Sequence, residues 1–152
     1  MSDQMKTAFA PEQIRKQAQA NLGLLLLAVV AYLKERGLPV REYCSYVGRR
    51  ITPLWRDVTT ATDLAKWAAL NVVSAGGNLR SLSGDESRAE ALTTGWPSEK
   101  ALSLFGITQE DADPIWDTMQ TIADSIGFTY EWHRQGDEFA MTFSRTSKEQ
   151  QR

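Results

Sequence analysis

This chain has almost none of the side chains from which disulfide, redox and metal chemistry are usually built. Its one cysteine, Cys44, cannot close an internal disulfide, so nothing points to an oxidising compartment. Its one histidine, His133, and that single thiol are too few for a structural zinc site within one chain. No HExxH, CxxC or EF-hand spacing occurs. The acidic groups Asp85-Glu86, Glu110-Asp111-Ala112-Asp113 and Asp137-Glu138 fall where turns and helix starts account for them. No metal and no cofactor is therefore expected. Phosphate-cradling glycine loops are missing too: Gly76-Gly77 follows a helical stretch and opens a strand, the reverse of the required order. Ser81 and Ser83 form no nucleophile elbow, and a serine triad would have to recruit the sole His133.

Excess positive charge is also lacking. A net charge of −2 gives no general attraction for polyanions. Arg41, Arg49, Arg50 and Arg56 make a local basic region, and LKERGLPVREYCSYVGRR has the outline of a helix–turn–helix. A DNA reader needs polar, base-contacting side chains on its second helix. Here that helix offers Tyr43, Tyr46 and Val47, so nucleic acid is not the expected partner. The arginines suit an anionic ligand or an acidic surface instead.

The apolar run Leu22–Leu33 ends at Lys34-Glu35-Arg36, well short of the roughly 20 residues a membrane span needs. It also begins late for a signal peptide and has no small-x-small cleavage site behind it. The expected setting is the cytoplasm, without membrane insertion.

What is present is an ordinary globular composition, 42% hydrophobic and 24% charged over 152 residues, enough for one domain with a real core. Residues 1–10 and 147–152 read as frayed tails. A first helix is expected from Pro11 to Arg36, with Ile14, Ala18, Leu22, Leu25, Val29 and Tyr32 in one stripe. Leu24, Leu26, Leu27 and Val30 lie outside that stripe, so the helix must be covered on more than one face. It is either the central helix of the fold or, through Leu22–Leu33, the seam of a homo-oligomer.

A second helix carries Val40, Tyr43, Val47, Ile51 and Leu54, with Pro53 kinking or ending it. Thr60 and Asp63 resemble a capping box for a third, whose buried stripe is read as Leu64, Trp67, Ala68, Asn71 and Val72. A polar hairpin turns at Gly84-Asp85, and a short helix runs from a Ser98 cap to Gly106. Thr108–Ala112 reads as a turn, and Asp113 as the cap of a helix with Pro114 in its first turn, ended by Gly127. The last hairpin, turning at Gly136-Asp137, alternates cleanly. It puts Phe128, Tyr130, Trp132, Phe139, Met141 and Phe143 on one face, and Thr129, Glu131, His133, Ala140, Thr142 and Ser144 on the other.

Each half thus contains a helix, a glycine stop and a hairpin with Gly-Asp-Glu at its turn, pointing to a helix–hairpin pseudo-repeat. The fold class is α+β: a single domain of N-terminal helices plus two hairpins that join into one antiparallel sheet packed on helices.

Small residues on a sheet face, Ser81, Ser83, Ala89, Ala91, Thr93 and Thr94 of the first hairpin with Ala140, Thr142 and Ser144 of the second, leave room for a pocket if the N-terminal helices close over it. Trp55, Trp96 or Tyr46 would line such a pocket, with His133, Glu131, Thr142 and an arginine as its polar fixtures. The leading expectation is a non-catalytic small-molecule-binding or sensing domain that self-associates. An enzyme using His133 as general base, oriented by Glu131, is the alternative; Glu131 lies about 7 Å along the same strand face. A structural or adaptor subunit without a pocket is the third reading. Cys44, beside the buried stripe, reads as an inert core thiol.

Overall fold

A computed structural model describes residues 9–147, so the outer parts of both expected tails lie outside the described residues. Helix α1 (Pro11–Glu35) is followed by α2 (Val40–Ile51), a 3-10 turn Thr52–Trp55 at Pro53, and α3 (Ala61–Ser74). Strands β1 (Asn78–Gly84) and β2 (Arg88–Thr94) form the first hairpin. Then come α4 (Glu99–Phe105), α5 (Gln109–Ala112), a 3-10 turn Asp113–Asp117 and α6 (Thr118–Ser125). Strands β3 (Phe128–Gln135) and β4 (Glu138–Arg145) close the fold.

The two hairpins join through their second strands into one antiparallel sheet of order β1-β2-β4-β3. Gln135 pairs with Glu138 across the two-residue turn, which sets Trp132 opposite Met141 and Tyr130 opposite Phe143. Both pairings follow from the alternation, because a one-residue slip would turn every aromatic side chain to the opposite face. Each hairpin has its own preceding helix, α3 for the first and α6 for the second, as a helix–hairpin pseudo-repeat requires.

The core lies between these helices and the aromatic face. Helix α3, with Ala61, Ala65, Ala68 and Ala69 buried, packs on β2, and small side chains let helix and sheet approach closely; Ala89, Ala91 and Thr93, expected on the pocket face, are buried in this core instead. Phe139, Met141 and Phe143 of β4 also lie under α3, while Phe128 and Tyr130 of β3 fill the space at α6, whose Met119, Ile122 and Ala123 are buried. Helix α2 packs behind α6: Gly48 sits where a Cβ would come within 2.8 Å of Thr121 Cβ. Cys44 is buried there, donating to the Pro114 and Ile115 carbonyls at 3.4 and 3.3 Å. Burial pushes its thiol pKa up, as expected of an inert core cysteine.

Several local expectations need correcting. The stripe Ile14–Tyr32 does not face the body of the protein; α1 buries Gly23, Leu27, Val30, Ala31 and Leu33 instead. Trp67 and Asn71 point outward because α3 turns its alanine-rich side to the sheet, and Leu54 is exposed beyond the Pro53 break. Residues 109–112 form a helical turn, since Thr108 and Asp111 cap each other reciprocally. Asp113 is not the expected N-cap: it ends α5, and its carboxylate is drawn inward by an arginine. Thr60 accepts from the Asp63 amide at 3.1 Å as expected.

Candidate ligand-binding cleft

The face carrying Glu131, His133 and Thr142 is open. Thr129, Ala140, Thr142 and Ser144 are half-buried, while Glu131 and His133 are exposed. The N-terminal helices stand on the aromatic side, so the enclosed pocket expected over the small residues does not form. Register puts Glu131 beside Thr142 and His133 beside Ala140, which brings these polar residues together on that open face. Thr142 Oγ1 donates to Glu90 at 3.3 Å. Trp55 lies elsewhere, in a groove of about 540 Å³ with Leu54, Val58, Lys66 and Trp67. Tyr46 is exposed on α2 under the Arg50 guanidinium, 5.2 Å from its ring centroid.

Trp96 lines a different and larger concavity than Trp55 does. A cleft of about 770 Å³ opens between α1, the end of α3, the Gly95-Trp96 segment and α4. Three local features build it. In α1, Gly23 lets the helix lie against the end of α3, because a Cβ there would come within 2.5 Å of the Ala75 carbonyl oxygen. After β2, Gly95 takes a φ of 80° and donates its amide to Asp137 at 3.1 Å, and a cis Trp96–Pro97 bond follows. Ser98 then caps α4 by accepting from the Ala101 amide at 3.2 Å.

Leu24, Leu27, Ala75, Trp96, Ala101 and Leu104 give the cleft its apolar walls. Gln19, Ser98 and Ser103 are its polar side chains, and Lys100 is its single charged one. Lys100 makes no ion pair among the described residues, and no carboxylate lines the cleft.

The wall behind Trp96 is rigidly held. Its indole packs edge-on against Trp116, centroids 5.0 Å apart. Its carbonyl accepts from Arg134 Nη2 at 2.9 Å. Arg134 also forms a two-pronged pair with Asp113, each contact 2.7 Å, and side-chain exposures of 10% and 4% put this pair inside the protein. Burial pushes the Asp113 carboxyl up from its ordinary pKa, and the guanidinium draws it back. Nearby, Trp132 Nε1 donates to Asp117 at 2.7 Å, and Arg41 reaches the same carboxylate at 3.1 Å. Tyr130 Oη and the indole nitrogens of Trp96 and Trp116 are buried with no hydrogen-bond partner among the described residues. Burial first, then the acids Asp117 and Asp113 and the Cys44 thiol, hold the Tyr130 hydroxyl well above its usual pKa.

Most of this cleft was missed from sequence because its walls come from three separate stretches, 19–27, 75–76 and 95–104. One signal was available: a glycine inside NLGLLLL costs a helix about 1 kcal/mol and so marks a close approach. Comparison with family models, with curated proteins and with solved structures returned no match for this chain.

Proposed function

We propose that the protein is a non-catalytic, self-associating domain that binds a small molecule in the cleft beside Trp96. The observation that carries this reading is the cleft itself: its volume lies within the usual range for small-molecule sites, roughly 300–1,000 Å³, and its walls are mainly apolar. One cation and no carboxylate favour a ligand with an apolar body and a single anionic group. A lone buried cysteine agrees with a reducing, cytoplasmic setting.

Decanoate is a suitable probe. It should raise the melting temperature of the wild type, since whatever binds the native state stabilises it. Ala20→Trp, at an exposed α1 position on the cleft, should fill the space and abolish that shift without unfolding the protein. Lys100→Met should weaken decanoate about 5-fold, the effect of one exposed ion pair, and leave decanol binding unchanged. Equal decanoate shifts in wild type and Ala20→Trp would sink the reading.

A further inference from the structure

Helix α1 has two apolar faces, and among the described residues the fold covers only one. Gly23, Leu27, Val30 and Ala31 face inward. On the opposite side Ile14, Ala18, Leu22, Leu25, Val29 and Tyr32 form a straight stripe about 27 Å long at helical rise. Ile14, Leu22, Leu25 and Tyr32 are 57%, 38%, 63% and 54% exposed. From Ala18 onward the spacing alternates four and three, the heptad repeat by which one helix packs along another. No charged residue interrupts the stripe.

Residues Pro11–Ala18 are exposed on every side, so α1 projects beyond the body by about two turns. So short a helical segment is marginal in water by itself and gains from lateral packing.

We infer that α1 pairs antiparallel with α1 of a second copy of this chain, a proposal that rests on the self-association in the reading above. A two-fold axis between Leu22 and Leu25 sets Leu22 against the partner's Leu25. It also sets the small Ala18 against the partner's Val29, and Ile14 against the partner's Tyr32. Each projecting N-terminal half then lies along the anchored C-terminal half of the other copy, whereas parallel pairing would leave the two projections packed only on each other. The exposed apolar side chains of the stripe and neighbouring Phe9 offer roughly 600 Å². With its polar flanks, the strip approaches the about 800 Å² that each partner contributes to a standard interface.

Sedimentation at about 100 μM should show a dimer for the wild type and a monomer for Leu25→Glu, which sets like charges near the axis; far-ultraviolet circular dichroism and melting verify that the variant remains folded. Mixing Ile14→Cys chains with Tyr32→Cys chains under mild oxidation should give a crosslinked pair between the two variants and none from Ile14→Cys alone. A wild-type monomer overturns self-association itself. A dimer that crosslinks through Ile14→Cys alone keeps self-association and overturns the antiparallel arrangement. A monomer that floats with phosphatidylcholine vesicles overturns the pairing by assigning the stripe to a lipid surface.

Discussion

Replacing Arg134 by Met tests whether the wall behind Trp96 depends on the buried pair. Arg134 holds Asp113 with two 2.7 Å contacts and the Trp96 carbonyl with one of 2.9 Å. Removing the cation strands a carboxylate that is only 4% exposed. Breaking one side of such a pair costs about 3–5 kcal/mol, or about 10 °C of melting temperature for a chain this size. The loss should depend on pH in a defined direction. The Asp113 carboxyl titrates above its ordinary value of 3.8 even beside Arg134, and without the guanidinium it moves higher. Protonation relieves the stranded charge, so this group's contribution is intact below that ordinary value and is lost as pH rises through the native one.

Urea unfolding of Arg134→Met should therefore show a penalty that shrinks from pH 7.5 toward pH 5, by as much as about 1.4 kcal/mol per unit. Adding Asp113→Asn should remove that slope and recover part of the stability. A penalty below about 1 kcal/mol, or one that stays constant across this range, would refute the account of a buried pair whose desolvation dominates.

Gly23→Ala should destabilise the protein even though alanine favours helices by about 1 kcal/mol, because its Cβ would meet a backbone oxygen at 2.5 Å. The same variant should weaken decanoate binding, measured by titration calorimetry, since α1 must move off α3. Trp132→Phe removes the 2.7 Å donor to Asp117 and should cost about 1.5–3 kcal/mol by chemical denaturation. A neutral result would mean that Arg41, an exposed side chain, holds Asp117 alone.

The last hairpin was legible to the residue because a period of two, a Gly-Asp turn and a single aromatic face all fix one register. The aromatic core face followed from it, but the strand order β1-β2-β4-β3 did not, since alternation is silent on which strands meet. Helix α1 was legible as a helix but not in its orientation: two apolar faces carry equal hydrophobic weight in sequence, and only the packing of Gly23 against Ala75 decides which turns inward. Asp113 misled for a related reason. An aspartate before a proline reads as a cap, yet Arg134, remote in sequence, claims its carboxylate. The site was the least legible part. Of the six residues expected around a pocket, only Trp96 lines the cleft; the polar trio His133, Glu131 and Thr142 shares the open side of the sheet. Which face of a sheet the helices cover is a long-range choice that strand alternation does not encode.

A ligand in the cleft and a ligand on the histidine-bearing sheet face disturb different backbone amides, so chemical shifts followed during a decanoate titration tell the two apart. Binding in the cleft gives saturating changes at Gly23, Gly76, Gly95 and Ser98, with the amides of Glu131, His133 and Thr142 unmoved. Changes confined to the latter three would put the ligand on the sheet face and refute the cleft.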